Sequence, residues 1–260
     1  MDILFFIVAF LSSIVGAICG IGGGVVIKPV LDMLQMGAPA TINFLSGCTV
    51  LSMSLYSVSK SLRAGDSKVE MSTGTPLAIG AALGGVVGKE MFSAVKNFFG
   101  GSSMVGGVQA IALGIITLGT LVYTINKSRI RTHKASSKAL CAVIGLLLGI
   151  MSSFLGIGGG PINLVVLFFF FSMDTKTAAE NSLYIILFSQ IASLLASILT
   201  ATVPAFSLGM LLLMVAGGIC GGICGRSVNK KLDSAAVDKL FIALMVLMIF
   251  INLYNIYQFL

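Results

Sequence analysis

Long apolar runs recur along this chain, and they constrain its fold more than any other feature. Many of them are long enough to span the roughly 30 Å hydrocarbon core of a bilayer as a helix. The chain is 57% hydrophobic and only 10% charged, whereas a soluble domain is about a quarter charged. Runs such as "VVLFFFF" do not alternate as barrel strands do, and lipid offers no partner to open backbone. The sequence therefore predicts an all-α integral membrane protein.

The apolar runs divide the chain into ten predicted helical segments. The first begins "MDILFFIVAF" and lacks a basic n-region and a cleavage site, so we interpret it as a membrane segment rather than a signal peptide. Two segments are only about 20 Å long, and each of these follows a "GIGGG" cluster. The predicted segments are 2–20, 24–36, 39–60, 72–95, 104–126, 138–156, 161–173, 176–199, 205–226 and 237–258.

The basic residues indicate that the chain reverses at each "GIGGG" cluster. Lys and Arg collect in cytoplasmic loops, which predicts a cytoplasmic location for the basic loop 127–137. If 138–173 were one helix, the basic stretch that starts at Arg226 would lie outside. With a reversal in both halves, all of the 16 Lys and Arg residues except Lys89 and Lys96 lie inside. This arrangement predicts a multi-pass protein of the inner (plasma) membrane with both termini outside. Full crossing and re-entrant hairpins fit equally well.

Several classes of function find little support in the composition. The net charge of +7 is explained by the cytoplasmic loops, so we expect no nucleic-acid partner. The five cysteines lack a metal-like partner set and are interpreted as small buried residues. The single histidine, His133, lies in the basic loop, and no paired carboxylates or nucleophile–base set points to catalysis. We therefore expect no enzyme activity, no metal and no cofactor.

The two halves of the chain are similar in sequence. Aligning Gly20 with Gly156 also aligns Ser46 with Ser182. A shift by a single further position aligns "GAALGGVVGK" with "GGICGGICGR", two glycine-spaced blocks that we interpret as helix-packing surfaces. We call this correspondence, with the shift included, the repeat alignment.

The repeats are predicted to be inverted, as in secondary transporters, because one half starts outside and the other inside. The predicted units are a first transmembrane repeat (1–126), the basic cytoplasmic loop (127–137) and a second, inverted transmembrane repeat (138–260). Each repeat contains about five helical segments, one of which is broken at "GIGGG".

The glycine clusters are candidate anion-binding turns. Each opens a short helix, whose free N–H groups and partial positive charge favour an anion, and glycine lets a ligand come close. The alternative is a pair of tight hairpins that bind nothing. The candidate substrate-binding residues are Gly22, Gly23, Gly24, Gly158, Gly159 and Gly160 on the turns, and Ser46, Thr49, Asn181, Ser182 and Gln190 on the helices that follow.

Two acidic residues in apolar segments are candidates for proton coupling, since ionisable groups within a membrane are usually functional. Asp32 follows Lys28 by four residues, so the two can also simply pair on one helix face. Glu180 lies near a predicted helix start, where the helix dipole favours a carboxylate in any case.

The sequence resembles the TauE/SafE sulfite exporter family of membrane permeases. The resemblance rests on "GAICGIGGGVVIKPVL" (16–31), on its repeat "SSFLGIGGGPINLVVL" (152–167) and on the glycine-spaced third helix of each half, and it covers nearly the whole chain. The Gly-Thr-Ser stretch that the family often carries in the next helix is replaced here by "FLSG" and "AENS".

This resemblance implies a permease for sulfite, for organosulfonates such as sulfoacetate, or for related small sulfur-containing anions. The expected partners are therefore the lipid bilayer, a small anionic substrate and protons as a coupling ion. The alternatives are a passive anion channel, a transporter of another small organic anion and a membrane scaffold that transports nothing.

Overall fold

A computed structural model describes residues 2–98, 102–135 and 137–259, so Met1, residues 99–101, Ser136 and Leu260 lie outside the described residues. Ten α-helices and a short 3-10 helix (Lys127–Arg129) form the regular structure of the described residues. The α-helices are α1 (Asp2–Cys19), α2 (Gly24–Met33), α3 (Pro39–Ala64), α4 (Met71–Phe98), α5 (Ser102–Asn126), α6 (Lys138–Leu155), α7 (Pro161–Phe171), α8 (Thr175–Leu199), α9 (Leu208–Lys231) and α10 (Ser234–Phe259).

The predicted all-α membrane fold class is confirmed. Among the described residues, seven helices are long and apolar enough to cross a membrane, namely α3, α4, α5, α6, α8, α9 and α10. Helix α1 is a shorter apolar helix. Helices α2 and α7 have 10 and 11 residues, a length of about 15–17 Å, so each reaches about half of the hydrocarbon core. Each of the two short segments is therefore a half-helix.

Both "GIGGG" clusters interrupt the helices, as predicted. Their glycines adopt positive φ angles, at +73° for Gly20, +74° for Gly22, +67° for Gly156, +70° for Gly158 and +130° for Gly159. A right-handed helix cannot contain this conformation, and only glycine adopts it at little cost. The backbone conformation itself therefore ends α1 and α6.

The first turn folds back along α1. The N–H of Ile21 donates to the carbonyl of Gly16 at 3.1 Å. A Cβ on Gly16 would lie 2.5 Å from the backbone nitrogen of Gly23, and a Cβ on Gly23 would lie 2.9 Å from the hydroxyl of Ser13. The start of α2 therefore lies against the last turns of α1, and the two helices form a hairpin.

The two halves interlock through the glycine-spaced blocks. Helix α4 packs along α6, and α1 packs along α9. A Cβ on Gly84 would lie 2.0 Å from the carbonyl oxygen of Leu146, and a Cβ on Gly221 would lie 2.4 Å from that of Phe10. Because only glycine permits such close backbones, the predicted packing role of both blocks is confirmed.

The interpretation of the cysteines is partly wrong. Cys19 and Cys141 are buried and Cys48 is half-buried, but Cys220 and Cys224 are exposed. In α9 the glycines face α1 and α3, which leaves the cysteines between them on the outer side of the helix.

Helix α9 differs most from its predicted bounds, because it continues through Lys231 rather than ending at residue 226. Arg226 and Lys230 remain in the helix and form ion pairs with Asp66 on the loop between α3 and α4, which compensates one of their two charges. The first basic residue of the run therefore does not mark the end of this helix, which continues to Lys231.

The basic segment after the 3-10 helix lies against the end of α7. The N–H of His133 donates to the carbonyl of Phe169 at 2.7 Å, and that of Ala135 donates to Phe170 at 2.9 Å. The imidazole of His133 also meets the Phe169 ring edge-on, with 5.0 Å between centroids. The predicted loop is therefore partly ordered by its contact with a half-helix.

Candidate functional site

The two glycine turns meet at the middle of α3 and α8. A Cβ on Gly24 would lie 2.2 Å from the carbonyl oxygen of Ile157, which belongs to the other turn. A Cβ on Gly22 would lie 3.6 Å from the carbonyl oxygen of Gly158. The structure therefore places the start of α2 against the second glycine turn, which precedes α7. Because Gly22 and Gly24 have no side chain, the backbone of the second turn lies close to them in this conformation.

Two aliphatic side chains close the space beside the turns. A Cβ on Gly158 would lie 2.7 Å from Cγ1 of Val50, and a Cβ on Gly159 would lie 2.3 Å from Cγ1 of Ile186. Both Val50 and Ile186 are fully buried, at 0% exposure, and they are equivalent in the repeat alignment. Val50 and Ile186 pack against the two turns, and we call this group of residues the central plug.

The helix starts beside the central plug carry no side-chain caps. The N-cap residues are Gly23 for α2 and Gly160 for α7, and neither start receives a capping hydrogen bond from a side chain. The first N–H groups of a helix have no acceptor within the helix itself. At α7, Pro161 has no N–H, and the N–H of Asn163 donates to the carbonyl of Gly160 at 3.1 Å. At α2, the N–H of Val26 donates to the carbonyl of Gly23 at 3.0 Å. The remaining N–H groups and the partial positive charge of each start favour an anion.

Buried polar groups with unused hydrogen-bonding capacity surround these starts. The hydroxyls of Ser13 and Ser46 and the Oδ1 atom of Asn163 have no hydrogen-bond partner among the described residues. The Oγ atom of Ser46 would lie 3.0 Å from a Cβ on Gly24. Asn163 donates through Nδ2 to the Oγ atom of Ser182 at 3.4 Å. Ser46 and Ser182 are thus near the turns, as the binding hypothesis requires.

Sequence reasoning missed Ser13 and Asn163. Their equivalents in the repeat alignment are Gly149 and Ile27, so the comparison of the two halves gave no signal for either. Asn163 is nevertheless the polar residue in an otherwise apolar half-helix, and that isolated amide was a signal in the sequence.

Two predicted binding residues point to other contacts. Thr49 donates its hydroxyl to a carbonyl of its own helix at 2.8 Å, and its methyl group would lie 2.8 Å from a Cβ on Gly218 of α9. The amide of Asn181 holds the loop 65–70 between α3 and α4, donating to the carbonyl of Lys68 at 3.1 Å. In this conformation both residues serve helix and loop packing, and their binding role stays a prediction.

The two candidates for proton coupling lie in different surroundings. Asp32 is buried and pairs with Lys28 on α2, toward the end of that helix away from the turns. Glu180 accepts a hydrogen bond from the hydroxyl of Ser61 and another from the N–H of Lys68, both at 2.9 Å. Glu180 also lines a cavity between α1, α3, α8 and α9, and Asp32 is not among the residues that line this cavity.

Two cavities lie at opposite ends of α3 and α8. The larger cavity has a volume of about 350 Å³ and lies between the last turns of α1, α3 and α9 and the first turns of α8. The smaller cavity has a volume of about 40 Å³ and lies between the first turns of α3 and the last turns of α4, α6 and α8. The central plug lies between them, beside residues 50 and 186.

The two cavities have corresponding linings. Ser57 and Ser61 line the larger cavity, and their equivalents in the repeat alignment, Ser193 and Ser197, line the smaller one. All residues that line the smaller cavity, except Gly156 and Gln190, have equivalents of this kind in the larger cavity. Gln190, a predicted binding residue, thus belongs to the smaller cavity, where it is 4% exposed.

Basic side chains mark the mouths of both cavities. In the larger cavity, Arg226 and Lys230 contact the two carboxylate oxygens of Asp66 at 2.7 and 2.6 Å. The hydrogen bond from Lys230, aided by the charge of Arg226, lowers the pKa of Asp66, which keeps this carboxylate ionised. In the smaller cavity, the ammonium of Lys89 lies 5.5 Å from the centroid of the Phe92 ring.

Residues 5–251 match the family model of the sulfite exporter TauE/SafE. The chain belongs to the TauE/SafE family. With seven candidate spans in the part of the chain that the structure describes, this member of the family is a multi-pass membrane protein.

A curated relative is a probable membrane transporter protein of Methanocaldococcus jannaschii, which is 26% identical over 175 residues. The match covers 63% of this chain and 60% of the relative, so it spans less than two thirds of that protein's length. No solved structure matches the chain.

Proposed function

We propose that this TauE/SafE protein is a secondary transporter for a small sulfur-containing anion, such as sulfite or an organosulfonate of the sulfoacetate type. The anion is held near the midplane, at the starts of α2 and α7, and reaches the two sides of the membrane in alternation. Family membership supports the class of substrate. The uncapped helix starts and the unpaired hydroxyl of Ser46 support the location of the site.

The main support for this proposal is that the two cavities have corresponding lining residues. An alternating-access transporter built from two repeats exposes one site to each side through equivalent halves of the protein. Here the linings correspond, but the volumes are about 350 and 40 Å³, and the central plug separates the cavities. This arrangement suits a conformation that is open on the side of the larger cavity and closed on the other.

The orientation follows from charge. The larger cavity lies beside the basic end of α9, and basic residues favour the cytoplasmic side. We therefore place the larger cavity inside and the smaller cavity outside, in the plasma membrane, with the two repeats inverted. Of the two candidates for proton coupling, Glu180 is better placed because it lines the larger cavity.

Flux of radiolabelled sulfite into proteoliposomes tests the proposal. A transporter shows saturable uptake and counterflow, in which unlabelled sulfite inside accelerates the uptake of labelled sulfite. Ionic current that rises linearly with voltage and shows no counterflow would instead identify a channel. No flux of sulfite, sulfoacetate, thiosulfate, sulfate or small carboxylates would contradict transport and leave a scaffold.

A further inference from the structure

We propose that Arg226 and Lys89 are two corresponding anion-binding stations, one in each cavity, and that Asp66 occupies the Arg226 station until an anion displaces its carboxylate. This inference rests on the proposed function, since it takes the transported anion as the ligand. Its sulfite-binding test is nevertheless independent of transport.

The two cations occupy corresponding positions. Arg226 and Lys89 end the two glycine-spaced blocks and are equivalent in the repeat alignment. Each lines its own cavity, in the second half of a helix that packs against the other half of the protein. The glycines that precede them fix α4 and α9 closely against α6 and α1, so both cations start from rigid backbone.

The carboxylate of Asp66 lies between two basic side chains. One carboxylate oxygen accepts from Arg226 and the other from Lys230, at 2.7 and 2.6 Å. A second guanidinium nitrogen of Arg226 donates to the carbonyl of Ser57 at 3.3 Å, and this hydrogen bond orients the guanidinium group. Arg226 is largely buried, with 14% of its side chain exposed, whereas Asp66 is 39% exposed. A small oxyanion can make the same two contacts that the carboxylate makes, because guanidinium and ammonium groups bind sulfonate or sulfite oxygens as they bind carboxylate.

The basic residue of the smaller cavity has different surroundings. Lys89 is half-buried and forms no ion pair with any residue that the structure describes. The loop 200–207 between α8 and α9 corresponds to the loop that carries Asp66, and it contains no acidic residue. The ammonium of Lys89 lies 5.5 Å from the centroid of the Phe92 ring, and the charge of the neighbouring Glu90 also acts on it. Among the described residues, no carboxylate forms an ion pair with Lys89 as Asp66 does with Arg226.

Asp66 therefore competes with an entering anion for Arg226, and this competition exists in the larger cavity only. A tethered carboxylate acts at an effective concentration in the millimolar range, so an anion that enters the larger cavity has to displace it. Removing the charge of Asp66 is expected to tighten binding at Arg226. For Lys89 there is no ion-paired carboxylate among the described residues whose removal could tighten anion binding in the same way.

Titration of the purified protein with sulfite tests the competition. Asp66→Asn is expected to lower the Kd for sulfite about three- to tenfold, and Arg226→Gln to raise it. The double variant Asp66→Asn/Arg226→Gln is expected to bind like Arg226→Gln alone. Glu70→Gln is the matched control, because it removes a charge from the same loop at an exposed position outside both cavities. Asp66→Ala provides a second variant if the asparagine disturbs the loop. An unchanged or higher Kd in both Asp66 variants overturns the competition.

Sided uptake tests the two stations separately. Lys89→Gln is expected to raise the half-saturating sulfite concentration about threefold or more on the side of the smaller cavity only. Arg226→Gln is expected to do so on the side of the larger cavity only. Equal effects of either variant on both sides overturn the assignment of one station to each cavity.

The binding and flux results separate this inference from the proposed function. Tighter sulfite binding by Asp66→Asn without flux of sulfite or of any of the other tested anions supports the inference and contradicts transport. Sulfite flux with unchanged binding by both Asp66 variants supports transport and contradicts the inference. Absence of sulfite binding by the wild type and by both variants contradicts the inference outright.

Discussion

At the scale of single residues, position 158 makes two demands that only glycine satisfies. Its φ angle of +70° is strained for any side chain, and a Cβ would lie 2.7 Å from Val50. Gly65 has nearly the same φ angle, +68°, but has nothing within 4 Å of its Cβ position. The pair therefore separates the cost of the left-handed backbone from the cost of crowding the central plug.

Alanine at these two glycines is expected to have unequal effects on stability. Gly65→Ala should lower the free energy of unfolding by about 1–2 kcal/mol, which is the cost of the left-handed conformation. Gly158→Ala should lose about 1–3 kcal/mol more, because its Cβ overpacks the contact with Val50. Unfolding of the detergent-solubilised protein measures both values. Equal losses would show that the plug is loosely packed.

The serines at the turns are expected to contribute to anion binding. Ser46→Ala and Ser182→Ala should each weaken sulfite binding by about 1–3 kcal/mol, since each removes a hydrogen bond to a charged ligand. Ser52→Ala is the control on the same helix as Ser46, because the hydroxyl of Ser52 bonds the carbonyl of Cys48 at 2.8 Å. Titration with sulfite provides the comparison. Normal sulfite affinity in both Ser46→Ala and Ser182→Ala would assign these two serines to helix packing.

At the scale of elements, the helices and their glycine contacts follow from sequence better than their ends do. The sequence predicted the break at each "GIGGG", because three glycines in an apolar run serve a helix poorly. It placed the ends of α2 and α7 too late. Gln35 and Ser172 both adopt φ angles of 52°, a conformation unusual outside glycine, and no residue type announces it. Tertiary contacts, such as that of Ser172 with His133, stabilise the turn there.

The glycine block of α4 is expected to be intolerant of a single methyl group. Gly84→Ala should destabilise the protein by about 1–3 kcal/mol, because its Cβ would lie 2.0 Å from the carbonyl oxygen of Leu146. Gly119→Ala on α5 is the matched control. Nothing lies within 4 Å of its Cβ position, so alanine should stabilise that helix by up to about 1 kcal/mol. Thermal unfolding in detergent measures the two shifts, and stabilisation by both would refute the packing role of the block.

At the scale of the whole molecule, the two halves interlock, so that each cavity is built from residues of both. The repeat alignment predicted which positions correspond, and the cavity linings follow it at Ser57 and Ser193. The unequal volumes were beyond sequence reasoning, because a cavity volume depends on how closely the helices around it pack and not on which positions correspond. The predicted inversion of the repeats and the sidedness of the membrane stay predictions.

Distances across the two cavities, measured by electron paramagnetic resonance on pairs of spin labels, test alternating access most directly. One pair lies on 176 and 228 across the larger cavity, and the other lies on the corresponding positions 40 and 91 across the smaller one, in variants without the five native cysteines. Met91 and Val228 are exposed, so a label fits at both. With saturating sulfite, the 176–228 distance is expected to shorten and the 40–91 distance to lengthen in the same fraction of molecules. Two distances that stay fixed, or that lengthen together, would contradict alternating access.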